Sequence, residues 1–517
     1  MYAQDLTAGV SLAKLLDERE FAFADDIVAH SCCHDFRHCR AGDVFVALMT
    51  SKENGDFEDG HLHAEEAVRR GATAVLTERL LPIQVPQCIV PNSKAAYAEL
   101  CQQLAGCPAT HLPAFGAIGN GGYPVTRQLV RLFDHQADSP AYFGPLGYSD
   151  GIEYLAHKGP VSANRYARWL ANVVSNDCSQ GIIEMTQRGL ANSVFLGAPT
   201  KGLVFTGFDT NTRSLHRGSV ITTQVERALS TLAPGGFITA NVDCPFVDEL
   251  VRDLSVPMLR VSLNPTNDAD ISATIVERQA SEQTAMLQVG MDTAYLRTRI
   301  IGEHYLRSCL MTIATGLQLG IRLEEIVAAI ESIDSIAGYL QRVECGQPFS
   351  VFVDSAATPA DLRRVLRSVR SVTKGRLICV FGEGNTFQPL ETEAAVRAQR
   401  GRIGERWSDI TVVTSDEANS QAPLNSIHDI LDGFQDVARP QIMPNRLRAI
   451  EFALSKAEAG DTVLIAGPHN ASVSNSTANS MVNGFDEQEV EKQLMPDAEV
   501  AKYWLYNLDA YTEQQSP

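Results

Sequence analysis

The sequence predicts an α/β protein of three domains, residues 1–113, 114–340 and 341–517, and three observations carry that expectation. A short apolar strand, a glycine turn and an amphipathic helix recur in that order along the chain, the pattern of parallel-sheet domains. At 517 residues the chain is too long for one core, and division by ~150 residues per domain gives about three. With 44% hydrophobic and 20% charged residues, the composition is that of an ordinary globular protein.

Charge and patterning exclude several function classes. A formal net charge of −19 repels nucleic acid and anionic membrane surfaces, and no basic stripe offsets it. No apolar run reaches the ~18 residues of a membrane span. Met1 to Glu20 lacks the basic and apolar regions of a signal peptide, so the expectation is a cytoplasmic protein. Eleven scattered cysteines are odd in number and read as free thiols. Cys32, Cys33, His34, His38 and Cys39 crowd together at a strand end, without the spaced second pair of a closed zinc site, and are expected to be buried or edge thiols.

In the first segment, Asp35-Phe36-Arg37 is a turn entering a strand over Ala41 to Leu48. Asp59-Gly60-His61 leads into a helix from Ala64 to Arg70, Gly71 caps it, and Ala72 to Leu76 is the next strand. These residues resemble the Mur ligase family, specifically its muramyl-tripeptide synthetase branch, whose first domain reads D-S-R, P-G-D-x-F-V-A-L, D-G-H and G-A-x-A. The resemblance implies a three-domain Mur ligase architecture with a central P-loop-like parallel-sheet domain and a Rossmann-like C-terminal domain. It also implies substrate-type roles for Asp35, Arg37 and His61, with Phe36 standing where the family has a serine that helps hold a uridine nucleotide.

The second segment opens on Phe115 to Ile118, a buried strand, followed by Gly119-Asn120-Gly121-Gly122-Tyr123-Pro124 and an amphipathic stretch from Arg127 to Phe133. That is the layout of a phosphate loop, in which backbone N–H groups cradle phosphates, a Lys neutralises them and a Ser/Thr holds Mg²⁺. Tyrosine brings no cation to the fifth position, and proline at the sixth offers neither N–H nor hydroxyl. The family reads G-T-N-G-K-T here. Its E-V-S-S-H strand end appears as Gly181 to Arg188, where Glu184 keeps the implied Mg²⁺ ligand, and its D-H-L-D leaves only His216 in register beside Asn211-Thr212-Arg213-Ser214. A helix from Thr222 to Leu232 carries Glu226 near the implied carbamylated Lys, and a strand runs from Pro234 to Asp243. The acceptor-binding T-T-P falls near Gly159-Pro160-Val161, and the two Asn of the Glu303 to Gly320 helix are Tyr305 and Ser308.

In the third segment, Arg342 sits in a match to G-R-M-E, and Asp354, Thr358 and Pro359 match V-D-Y-A-H-T-P, with Ala357 at the His. After the strand Leu377 to Phe381, Phe387 replaces the phosphate-reading Arg of F-G-x-G-G-D-R. Asp416 ends the strand before Glu417-Ala418-Asn419, which replaces the diaminopimelate-reading N-P-R; Asn470 falls in place of A-G-K-G-H-E chemistry, and Phe485-Asp486-Glu487 resembles the closing F-D-D.

Glycines, apolar strands and caps match the family, and the mismatches gather where acyl-phosphate chemistry needs cations and metal ligands. The expectation is a Mur ligase homologue linked to peptidoglycan biosynthesis without catalysis, with UDP-muramyl peptide or cell-wall enzymes as partners. Two alternatives stand beside it. One is an active ligase using ATP and Mg²⁺, with Arg127 or Arg188 as the phosphate cation and Glu226 on the metal. The other is an α/β protein whose glycine loop takes an unrelated anion on bare N–H groups.

Overall fold

The computed structural model describes residues 9–51, 57–136, 138–156, 161–208, 215–384, 392–416, 423–467 and 496–514, of which 51, 57, 156, 215–220, 423 and 508–514 are described by their backbone alone. The chain divides into two compact units, Met1–Arg260 with Ala314–Gly320, and Val261–Ile313 with Ile321–Pro517.

Two sheets organise the first unit, besides two short strand pairs. In the smaller, the strands run in the order Glu20–Ala22, Gln87–Ile89, Ala74–Thr77, Val44–Val46 and Cys32–Cys33. All neighbours are parallel except the edge strand Glu20–Ala22. Val44–Val46 and Ala74–Thr77 are buried at every position, which is why they read as unbroken apolar runs rather than alternating ones. The larger sheet has Ala114–Gly119 at its centre, parallel to Gln180–Met185 on one side and to Thr200–Gly207 on the other, with Leu232–Asn241 beyond. Its far edge is built from Pro140–Gly144, Gly147–Ser149 and Tyr154–Ala156. Helix Ala163–Ser175 packs Tyr166 and Trp169 on Phe143 of that edge, with ring centroids 5.2 and 5.0 Å away.

In the second unit a six-stranded sheet takes the order Gln341–Arg342, Ser350–Asp354, Thr462–Ala466, Leu377–Phe381, Ile410–Val413 and Gln441–Ile442, parallel except for the first pair. Helix Pro359–Arg370 starts with a capping box, Thr358 and Asp361 each bonding the other's backbone N–H. Strands Ile271–Arg278, Gln283–Val289 and Asp292–Thr298 form an antiparallel meander.

The fold class is the one expected, a mixed α/β chain with a large, mostly parallel sheet. Differences lie at boundaries and in the less periodic stretches. The helix expected from Thr222 spans Leu215–Leu229, so Leu232 opens a strand instead of closing a helix. The helix expected from Arg127 begins at Gly122, and Pro124 sits in its first turn, where a missing N–H is tolerated because no helical acceptor is available. Between Pro140 and Ser175 the chain forms three short strands and a helix, whose period glycine, proline and mixed polarity hide in the sequence. Among the described residues no helix is long and apolar enough to cross a membrane.

Candidate functional site

The glycine turn lies at the carboxyl end of the central strand Ala114–Gly119, where open parallel sheets place their ligands. Gly119 has φ +105°, and a Cβ there would lie 2.2 Å from the Gly207 carbonyl oxygen, so backbone passes backbone at a separation only glycine permits. The turn is closed by its own neighbours. Asn120 N–H donates to the Gly207 carbonyl at 2.9 Å, and Gly121 N–H donates to Thr206 Oγ1 at 3.0 Å. Thr206 in turn donates its hydroxyl to the Ile118 carbonyl at 2.9 Å. The helix Gly122–His135 follows with Gly121 as an N-cap that makes no side-chain bond.

Glu184 stands beside this helix start, with its Cγ 3.2 Å from where a Gly122 Cβ would be. Its Oε2 accepts the Tyr142 hydroxyl at 3.2 Å, and burial pushes its carboxyl up to about 7 against that bond. Burial raises the phenols of Tyr123, Tyr142 and Tyr154, and the Glu184 charge adds to the rise in all three. Arg127, one turn along the helix, lays its guanidinium over the Tyr142 ring at 5.4 Å from the centroid. The structure therefore surrounds a half-buried carboxyl with tyrosines and directs the nearby Arg to an aromatic face. Glu226 is exposed on its helix, and His216 lies in the same helix within the stretch whose side chains are outside the description.

A cavity of about 550 Å³ lies in the same unit. Its lining brings together Asp35, Phe36 and Arg37 from one turn, Lys94 and Tyr97 from helix Ser93–Leu104, and Arg188 from Gln187–Ala191. Asp35 caps its turn by accepting the Arg37 N–H at 3.0 Å and holds the Arg37 guanidinium from both oxygens. That guanidinium keeps the Asp35 carboxyl well below the usual carboxylate range. The Phe36 ring stacks on His63 at 4.4 Å and 17°, forming an aromatic shelf. Burial brings Lys94 down, with Arg227 adding to the effect. His61 lies apart from the lining. Its Nδ1–H donates to Asp59 at 2.6 Å and its Nε2 accepts the Glu78 N–H at 3.2 Å, so both ring nitrogens serve the fold.

In the second unit the implied residues serve local structure. Asp354 is buried at the end of its strand, accepts the Leu340 N–H at 2.8 Å, and is pushed up to about 7 by burial. Asp416 accepts the Gly384 N–H at 2.7 Å and the Arg446 guanidinium at 2.7 Å, and Arg446 continues to Asp497 at 2.6 Å. Arg342 pairs with Glu344 at 2.7 Å. Sequence reasoning missed Arg400, a fully buried guanidinium that donates to the carbonyls of Gly382, Ala356 and Ala357 at 2.9 to 3.0 Å. No motif flagged Arg400 or Arg446, since each lies on a helix that carries other arginines. Asn211 to Ser214, Gly159-Pro160, Phe387, Glu417-Ala418-Asn419, Asn470 and Phe485-Asp486-Glu487 lie outside the described residues.

Residues 340–469 match the family model described as Mur ligase, glutamate ligase domain. The UDP-N-acetylmuramoyl-L-alanyl-D-glutamate–2,6-diaminopimelate ligase of Syntrophomonas wolfei is 26% identical over 472 residues, covering 89% of this chain and 94% of the relative. A solved structure of a ligase of that description superposes with a TM-score of 0.62 at 20% identity, covering 89% of this chain and 94% of its own. The MurF ligase of Thermotoga maritima, solved in complex with ADP, gives a TM-score of 0.56 at 16% identity over 84% of this chain and 93% of its own. The chain is thus a homologue of the Mur ligases, with a Mur ligase glutamate ligase domain at residues 340–469.

Proposed function

We propose that this Mur ligase homologue serves peptidoglycan biosynthesis as a non-catalytic binding protein, with domains at 1–113, 114–340 and 341–517 and a UDP-muramyl peptide as its ligand. One observation carries the reading: the loop N–H groups of Asn120 and Gly121 are bonded to Gly207 and Thr206, while Tyr123 supplies no cation and Pro124 no hydroxyl. Amide ligation through an acyl phosphate needs phosphate charge neutralised and Mg²⁺ held by several hard oxygens. Among the described residues the titratable groups beside the loop are one carboxyl poised near 7 and three phenols, which do not fit ATP with Mg²⁺. Glu226 is solvated and exposed, a poor stand-in for a carbamylated Lys.

The cavity supports the binding half of the reading. Arg37, Lys94 and Arg188 offer positive charge to a diphosphate, and the Phe36–His63 stack offers an apolar face to a base. The Syntrophomonas wolfei relative is named for a UDP-N-acetylmuramoyl dipeptide substrate, which suggests that ligand class. A second reading, an ATP-dependent acid–amino-acid ligase with a rearranged site, is favoured by Arg127, which stands one turn beyond the loop beside Tyr142. Calorimetric titration of the full chain separates the two. The proposal expects binding of UDP-N-acetylmuramoyl-L-alanyl-D-glutamate and none of ATP with Mg²⁺; saturable ATP binding supports the second reading.

A further inference from the structure

The turn that carries Asp35, Phe36 and Arg37 is flanked by two thiols that the fold brings beside a carboxylate. Cys33 ends the strand Cys32–Cys33, Cys39 closes the short helix Phe36–His38, and Asp43 precedes the strand Val44–Val46. One donor atom from each, two sulfurs and a carboxylate oxygen, lie within 4.8 Å of one another. Cys33 is half-buried and Cys39 and Asp43 are buried, so the donors face one another at the edge of a small apolar cluster containing Phe45, Ala64 and Val75.

The carboxylate is held in place from behind. Ser31 donates its hydroxyl to Asp43 Oδ1, and the Arg40 N–H donates to Oδ2 at 2.8 Å. Bonds of this outer kind orient a metal ligand and leave each oxygen a further lone pair. The neighbouring histidines are engaged elsewhere: His34 Nδ1 meets the Tyr97 hydroxyl at 3.0 Å and His38 Nδ1 meets Asp35 at 3.0 Å. Cys32 faces the other way, its sulfur 3.9 Å from that of Cys101.

We propose that Cys33, Cys39 and Asp43 form a binding site for one thiophilic divalent cation of the Zn²⁺ class, which staples the Asp35–Arg37 turn to the sheet. Two soft sulfurs with one oxygen select Zn²⁺ over Mg²⁺ or Ca²⁺, and three protein ligands leave one tetrahedral position for water. On binding, two S–H bonds break, two metal–thiolate bonds form and two protons pass to solvent, so affinity rises with pH. The site lies apart from the glycine loop and does not rest on the chain's function in cell-wall synthesis.

The test is titration of the reduced, chelator-stripped full chain with Co²⁺ as a spectroscopic probe, followed by displacement with Zn²⁺. The expected result is one equivalent of Co²⁺ with a thiolate-to-metal charge-transfer band that Zn²⁺ abolishes. Cys33→Ser and Cys39→Ser each weaken binding by about a hundredfold or more, Ser31→Ala by about tenfold as an outer partner, and Cys32→Ser leaves it unchanged. Because Cys39 is buried, circular dichroism accompanies each variant, and the half-buried Cys33→Ser decides if Cys39→Ser unfolds. Absence of the band in the wild-type chain overturns the proposal. So does its survival in a folded Cys33→Ser variant, or its loss in Cys32→Ser.

Discussion

The glycine turn at Gly119 and the turn at Asp35 are both capped turns at strand ends in one unit, yet they present opposite chemistry. At Gly119 the backbone N–H groups close on the neighbouring strand and a carboxyl sits among phenols. At Asp35 the turn opens on a cavity lined by Arg37, Lys94 and Arg188, with an aromatic shelf beside them. The difference teaches that a phosphate-loop shape is a property of backbone packing, whereas phosphate binding is a property of the groups left facing out. The first can persist when the second is lost. Gly119 is fixed by the approach of Gly207, a requirement that holds whatever ligand the loop meets.

The sharpest way to break the comparison is to load each turn with one methyl group. Gly119→Ala places Cβ 2.2 Å from the Gly207 carbonyl at φ +105°, and a loss of about 3 kcal/mol or more in urea-unfolding stability is expected. Gly42, beside the Asp35 turn, has φ +93° but nothing within 4 Å of a Cβ; Gly42→Ala should cost only the left-handed penalty of about 1–2 kcal/mol. Equal losses would contradict the claim that the Gly119 turn is closed by packing.

A second effect comes from Glu184. Its carboxyl is raised from an ordinary 4.5 to about 7 by burial, so the folded state binds its proton more tightly than the unfolded chain does. The stabilisation is complete below the unfolded value and fades as pH rises from about 4.5 through 7. Glu184→Gln keeps an acceptor for Tyr142 and removes the charge, so at pH 8 it should be more stable than wild type by about 1–3 kcal/mol. Near pH 4 the two should coincide. A pH-independent difference between the unfolding midpoints would show that the charge of Glu184 is compensated by a cation, against the account given for the loop.

Smaller effects follow at the cavity and at the loop's side chains. Arg37→Ala removes a diphosphate-facing cation and leaves Asp35 with only His38 and a backbone N–H, so affinity for a UDP-muramyl peptide should fall about tenfold, roughly 1.4 kcal/mol, in calorimetry. Unchanged affinity would remove Arg37 from the ligand's reach. Tyr123→Lys with Pro124→Thr restores a cation, an N–H and a hydroxyl at a half-buried and a buried position of the first helical turn, and should alter stability by about 1 kcal/mol. ATP should then bind measurably by calorimetry, without ligase turnover, because groups acting as a unit are not rescued one at a time.

How much was legible in the sequence differs between backbone and side chains. Ala114–Gly119, Leu377–Phe381 and the helix beginning at Glu303 could be read from apolar runs and period, because burial on both faces or along one stripe leaves a direct mark. The three glycines after Ile118 announced a turn at a strand end because glycine tolerates the positive φ and close backbone approach found at Gly119. The tyrosine cluster could not be read. Tyr142 and Tyr154 come from strands in a stretch without clear period, and only the pairing of Pro140–Gly144 with Gln180–Met185 brings Tyr142 to Glu184. Likewise Lys94 and Arg188 lie ninety-four residues apart in sequence and meet only at the cavity. Asp43 read as part of a strand entry, and its closeness to Cys33 and Cys39 depends on the folding back of the intervening turn.

The central claim is that the loop at Gly119 no longer supports ligation, and the most direct test is ATP-dependent joining of UDP-N-acetylmuramoyl-L-alanyl-D-glutamate to diaminopimelate or lysine by the wild-type chain, followed by product mass. The account predicts no product above a reaction without enzyme, at any Mg²⁺ concentration. Turnover that requires both ATP and Mg²⁺ would contradict it and assign the phosphate cation to a group such as Arg127.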